Sequence, residues 1–140
     1  MAIEWREAMS LNNEEVDSDH RYMIRLVNAV EEALESPDRR GTVNVALDLL
    51  RDYAETHFKR EEALMQKVGY PGLAEHKNHH QALVKKLSEL EEKIPGKADP
   101  GNFDNEPFPE NLMELLRHWL IGHIIGEDLR MKPWVEKKEA

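Results

Sequence analysis

The strongest constraint on the fold is an apolar stripe that advances by alternating steps of four and three residues. It reads Val43, Leu47, Leu50, Ala54, His57, Glu61, Leu64. That rhythm keeps one face of a long helix turned toward a bundle core. A second stripe, Leu73, His76, His80, Leu83, Leu87, Leu90, Ile94, alternates in the same way. In both, side chains that can ligate a metal occupy positions where leucines would otherwise pack. The two local motifs are HFKRE at 57–61 and HKNHH at 76–80.

Two further stripes complete the pattern. Met23 or Ile24, Val27, Val30 and Leu34 define a helix from about Ser18 to Leu34, with Asp17 or Ser18 as its cap and His20 extending the stripe. Leu112, Leu115 or Leu116, Trp119 and His123 define a helix from about Glu110 to Asp128. The other two helices run from about Thr42 to Lys67 and from about Pro71 to Lys93. The breaks are SPDRRG at 36–41, GYPG at 69–72 and a long Pro/Gly-rich loop at 95–109. Lys132 and Pro133 end or kink the last helix, and a short helical turn through Trp134 and Val135 follows. Residues 1–17, with Trp5, Met9, Leu11 and Val16, form an ordered N-terminal arm. The expectation is an all-α fold, an up-down-up-down four-helix bundle forming one domain over residues 1–140.

Composition limits the chemistry. Cysteine is absent, so any metal must be held by histidine and carboxylate. A net charge of −9 argues against nucleic acid and against anionic membrane surfaces. No stretch approaches the roughly 20 apolar residues of a membrane span, and the N-terminus has no signal-peptide pattern. A cytoplasmic protein is the expectation.

Positions four apart in a helix share a face, with Cβ atoms roughly 5–6 Å apart. His57 with Glu61, and His76 with His80, can therefore each reach a common ion. A lone histidine on an apolar face is ordinarily a core or rim residue with one hydrogen bond. One HxxxH or HxxxE motif is ordinary helix chemistry. Five histidines (His20, His57, His76, His80, His123) and a glutamate on core stripes are different. They would cost several kcal/mol if left unsatisfied, and a shared metal centre satisfies them together. They also exceed the ligand set of a single tetrahedral zinc, so two carboxylate-bridged ions fit better. His79 rivals His80 by spacing, but the leucine row selects His80. His79 and His118 read as exposed or supporting residues. A second bridging carboxylate should come from the last helix. Glu127, at i+4 from His123, is the nearer helical neighbour than Asp128 at i+5.

The segments Trp5…VDSDH (16–20), HFKREE (57–62), HKNHH (76–80) and WLIGHIIGED (119–128) together resemble the hemerythrin family, in its bacterial single-domain form, over nearly the whole chain. Myohemerythrin is a standing example of the four-helix bundle expected here. The family's HxxxxD spacing favours Asp128 over Glu127. The resemblance implies two non-haem iron ions with an oxo or hydroxo bridge. One would be held by His76, His80 and His123. The other would be held by His20 and His57, with an open position for O2 as ligand. Glu61 and Asp128 would bridge. The loop at 95–109 is longer than the family's usual connection.

The resemblance implies reversible O2 binding, as carrier, store or sensor, and not enzymatic turnover. A histidine-rich centre can lend O2 one electron per iron, whereas the carboxylate-rich relatives favour O–O cleavage. Met23, Ile24, Phe58, Trp119, Leu120 and Ile124 are candidate walls of a dry O2 pocket. The competing readings are a di-iron redox enzyme, such as a peroxidase or NO-handling protein, and a metal-dependent signalling module with a protein partner.

Overall fold

The computed structural model describes residues 2–35, 40–93 and 111–139, apart from the side chains of Arg40, His123, Lys138 and Glu139. Three long helices, α1 (Glu14–Leu34), α2 (Arg40–Val68) and α3 (Leu73–Glu92), lead to a composite fourth. That fourth run comprises α4 (Leu112–Arg117), a π-helical segment (His118–Ile125), α5 (Gly126–Asp128), a 3-10 turn (Leu129–Met131) and α6 (Lys132–Glu139). Helix α1 packs on α2 and α4, and α2 packs on α3. The Trp119 indole N–H donates to Leu83 O at 2.9 Å and joins the fourth run to α3. The fold is the expected helical bundle. The expected loop at 95–109 lies outside the described residues.

Helix α1 begins earlier than the sequence suggested. Asn13 is the cap, accepting from Val16 N at 3.0 Å. Asp17 is already helical and reaches backward instead, accepting from Ser10 Oγ at 2.6 Å and Leu11 N at 2.9 Å. These bonds hold the arm at the helix start. Farther out, Asn28 pins the arm through paired bonds with Ile3 N at 2.8 Å and Ile3 O at 2.9 Å. Asn12, in the left-handed region at φ 57, ties the arm to α6 by donating to Glu136 Oε1 at 2.7 Å. The ordered part of the arm is therefore 2–13, because the last residues assigned to it by sequence form the first turn of α1.

Helix α2 ends in a Schellman motif. Gly69 has φ 72, Tyr70 N bonds Met65 O at 2.9 Å, and Gly69 N bonds Gln66 O at 3.3 Å. The helical path does not stop at Lys132 and Pro133. It tightens through the 3-10 turn and restarts as α6, with Pro133 in the first turn, where its missing N–H leaves no bond unmade.

The buried residues fall into two apolar clusters. The larger includes Met23, Val27, Val30, Leu47, Leu50, Leu87, Leu116 and Trp119. The smaller comprises Leu11, Val16, Met65, Met131 and Val135, where the arm and α6 close one end of the bundle. Met65 replaces Leu64 as the buried end of the α2 stripe, being fully buried where Leu64 is only partly so. Between the clusters lies a layer of buried polar side chains.

Candidate metal centre

His20, His57, Glu61, His76, His80 and Asp128 form that layer, and none is more than 4% exposed. The stripes put them there. His20 follows Val16 on α1, His57 and Glu61 precede Met65 on α2, and His76 and His80 precede Leu83 on α3. Each sits where the apolar row runs through the bundle axis. The backbone of His123 lies in the π segment, and its side chain is outside the described residues.

The carboxylates divide their oxygens between two histidine pairs. Glu61 Oε2 lies 3.0 Å from His57 Nε2 and 3.9 Å from His20 Nε2. Glu61 Oε1 lies 2.9 Å from His76 Nε2 and 3.0 Å from His80 Nε2. Asp128 Oδ2 lies 2.8 Å from His20 Nε2 and 3.5 Å from His57 Nε2, while Oδ1 lies 2.9 Å from His76 Nε2. Two donor groups result: His20, His57, Glu61, Asp128 and Glu61, His76, His80, Asp128. Within each, the ligand atoms all lie within 4.8 Å of one another.

The fit to cations can be tested on orphaned atoms. His57 Nε2 and Glu61 Oε2 are both buried without a hydrogen-bond partner, although they lie 3.0 Å apart. Both belong to the donor group that Asp128 also joins, its Oδ2 lying 3.5 Å from His57 Nε2. A buried polar atom left unpaired is costly, and two on one point call for a third body between them. Nitrogen and carboxylate oxygen suit first-row transition metals. The residues fit metal ions at the two donor groups, to both of which Glu61 and Asp128 belong.

The surrounding side chains fix the imidazoles. The Asp19 carboxylate, 3% exposed, accepts from His57 Nδ1 at 2.9 Å, from Tyr53 Oη at 2.6 Å, and from Arg60 Nε at 3.0 Å and Nη2 at 2.8 Å. Burial works against its charge, but His57, Arg60 and Tyr53 hold the carboxyl well below the usual range. Burial and the bond to Asp19 push the Tyr53 phenol up to about 12. His80 Nδ1 meets Glu62 Oε2 at 2.7 Å. An Nδ1–H that donates to a carboxylate leaves Nε2 as the free lone pair facing the centre. The sequence reading missed Asp19, Tyr53, Arg60 and Glu62. Asp19 and Glu62 each sit one residue from a stripe residue, where an acid reads as solvated helix surface.

Without a metal the site holds protons. Burial disfavours a charged His76, but Asp128 and Glu61 raise it to about 9. His57 is raised well above its ordinary value because Asp128, Asp19 and Glu61 outweigh its burial. Asp128 is lowered well below the ordinary carboxylate range, since contacts with Glu61 and the histidines overcome its burial.

The structure separates the rivals left by spacing. Asp128 is 1% exposed and meets His20 and His76, whereas Glu127 is half-buried and pairs with Arg130 Nη1 at 3.1 Å. The π segment accounts for the difference. A π turn closes from i to i+5, as Gly126 N–H to Ile121 O does here, so the register advances by an extra residue. His79 is half-buried beside His76, with ring centroids 6.0 Å apart. His118 is exposed, with its ring over Gly122. Among the expected pocket walls, Met23, Ile24, Phe58, Trp119, Leu120 and Ile124 are all at most 4% exposed. Phe58 stacks on His80 with ring centroids 4.0 Å apart and planes 7° from parallel.

A helical bundle whose buried histidines and carboxylates form two groups able to hold a metal ion belongs to the class of bundle proteins with histidine–carboxylate cation sites. Residues 11–135 match the Hemerythrin HHE cation binding domain, and the chain belongs to the hemerythrin family. It is 30% identical over 124 residues to a bacteriohemerythrin of Stenotrophomonas maltophilia, covering 89% of this chain and 75% of that protein. A bacteriohemerythrin of Methylococcus capsulatus is 33% identical over 108 residues, covering 77% of this chain and 76% of its own. A wild-type hemerythrin crystal structure superposes with a TM-score of 0.78 at 29% identity, covering 96% of this chain and 98% of that one. No helix among the described residues is long and apolar enough to cross a membrane.

Proposed function

We propose that this chain binds O2 reversibly at a pair of non-haem iron ions, as a carrier, store or sensor and not as an enzyme. The observation that carries this reading is the division of the Glu61 and Asp128 oxygens between two histidine pairs. His20 and His57 would hold one iron. His76, His80 and, by family correspondence, His123 would hold the other. Glu61 and Asp128 would bridge them, beside a solvent-derived oxo or hydroxo group. Two ferrous ions bound there would supply the two electrons that O2 requires. The set with fewer histidines, His20 and His57, would be the one left able to take O2.

The protein's own contribution is placement and exclusion of water. Asp19 and Glu62 hold the His57 and His80 rings with Nε2 inward. Phe58, stacked on His80, and the buried Trp119, Leu120, Ile24, Met23 and Ile124 would supply the apolar surface that slows proton entry. Excluding water and protons favours release of O2 over its loss in a reduced form. A cytoplasmic location is part of the proposal, and cell fractionation would check it.

The test is anaerobic loading with Fe(II), followed by cycles of O2 admission and removal. A visible charge-transfer band that grows with O2 and fades without it is expected over several cycles. Immediate and permanent conversion to the diferric state would contradict reversible binding and favour a redox enzyme.

A further inference from the structure

Two depressions in the described surface reach the histidine layer, and they differ in chemistry. One lies between α2 and α3, lined by Phe58, His80 and Val84, with Lys59 and Lys77 set among Glu55 and Glu62. The other is a cavity of about 220 Å³ lined by Tyr70, Gly72, Glu75, His76, His79, Glu127 and Arg130. It gathers two residues that the centre itself does not use, His79 from α3 and Glu127 from α5. Both are ligand-type side chains, and His76, a member of the second donor group, forms part of the same wall. The T-shaped His76–His79 pair, with ring centroids 6.0 Å apart, puts the outer imidazole next to the inner one.

Size and charge fit a hydrated cation. At about 30 Å³ per water, a divalent ion with six waters occupies roughly 200 Å³. Glu75 and Glu127 exceed the single cation, Arg130, whose guanidinium Glu127 already meets at 3.1 Å. A chain of net charge −9 draws cations to its surface, and an acidic cleft concentrates them further. The α2–α3 depression lacks that excess: its two lysines, Lys59 and Lys77, are balanced by Glu55 and Glu62, and Phe58 adds an apolar ring to its lining.

We propose that this vestibule is the port through which metal ions enter the centre. His79 and Glu127 bind the arriving divalent cation transiently, in exchange for part of its water shell, beside His76. The inference rests on the two-metal reading of the centre. It gives roles to residues that spacing alone left as rivals of His80 and Asp128.

The experiment follows Co(II) uptake by the metal-free protein in stopped flow, read from cobalt's visible bands, with the final cobalt content measured. His79→Ala and Glu127→Gln are expected to fill about tenfold more slowly than the wild type, within the range that charge focusing gives to association rates. Both should reach the wild-type stoichiometry and spectrum. Arg130→Ala is expected to fill faster, an opposite sign that general loosening of the bundle would not give. Gln81→Ala, in the other depression, should fill at the wild-type rate. Should His79→Ala fail to fold, Glu75→Gln at an exposed position carries the same expectation of slower filling. Full uptake at unaltered rates in His79→Ala and Glu127→Gln would overturn the port alone. A lowered final stoichiometry would make these residues ligands of the centre, and would overturn it too. A wild-type chain that takes up no cobalt would overturn the metal centre and the port with it.

Discussion

At the scale of single residues, the division of labour among carboxylates is the informative feature. Glu61 and Asp128 face the centre, whereas Asp19 and Glu62 stand behind imidazoles. Supporting carboxylates of this kind typically change metal affinity 10- to 100-fold, roughly, when removed. Asp19→Asn is therefore expected to keep the fold and lower metal affinity by at least about tenfold, measured by competition with a chelator. Unchanged affinity would reduce Asp19 to a structural anchor for Arg60 and Tyr53. On the apolar side, replacing Ile24 or Leu120 with threonine brings a hydroxyl to the layer. Faster oxidation of the O2-loaded protein to the diferric form is expected, followed optically; an unchanged rate in both variants would contradict the dry-wall argument. The inward-facing histidines and Glu61 were legible because each takes a core position in an apolar stripe; Asp128 was not, since helical spacing favoured Glu127 and only the family pattern chose it. Asp19 and Glu62 were not, because their burial comes from helix–helix packing that periodicity does not encode.

At the scale of elements, the extent of the helices followed from apolar rhythm and the exact ends from local chemistry. Asp17 was a reasonable cap by residue type. Asn13 won because its side chain meets Val16 N, and this freed Asp17 to hold Ser10 and Leu11. The choice of Asp128 over Glu127 needed either the family pattern or the π segment, since ideal α geometry points to the other residue. Gly126 sits at the end of that segment, and a Cβ there would lie 3.2 Å from the Ile121 carbonyl oxygen that accepts its N–H. A glycine inside a helix ordinarily gains about 1 kcal/mol on replacement by alanine. Gly126→Ala is expected to lose that gain, with no rise in thermal midpoint and weaker metal retention. A stabilised variant with full metal content would show the π turn to be incidental. Gly69, at φ 72 beyond the last turn of α2, lies outside the histidine–carboxylate layer and makes a control. Gly69→Ala should cost about 1 kcal/mol, the order of the left-handed penalty, with metal binding intact.

For the molecule as a whole, metal and protons compete for one set of atoms. In the metal-free protein His76 is raised from an ordinary 6.5 to about 9, so its charge stabilises the fold below 6.5. That contribution fades as pH rises through about 9. Asp128 is lowered below its ordinary 3.8, so its contribution is present above that value and fades as pH falls beneath it. Metal-free protein should thus be most stable between about 3.8 and 6.5 and weaken toward mild alkali. Metal-loaded protein holds its imidazoles neutral and should not show the alkaline decline, and loading near neutral pH should release protons. Denaturant titrations of both forms across pH, with a pH-indicator dye during loading, check this. An alkaline decline shared equally by both forms would contradict it.

The central claim is that two carboxylates with divided oxygens hold two metal ions in one chain. Elemental analysis of protein loaded anaerobically with Fe(II) and freed of excess metal tests it most directly, with Asp128→Asn beside the wild type. The account predicts about two irons per wild-type chain and a clear loss in the variant, from an inventory that offers each ion at least two histidines. One iron per wild-type chain, or a content that Asp128→Asn leaves untouched, would contradict it.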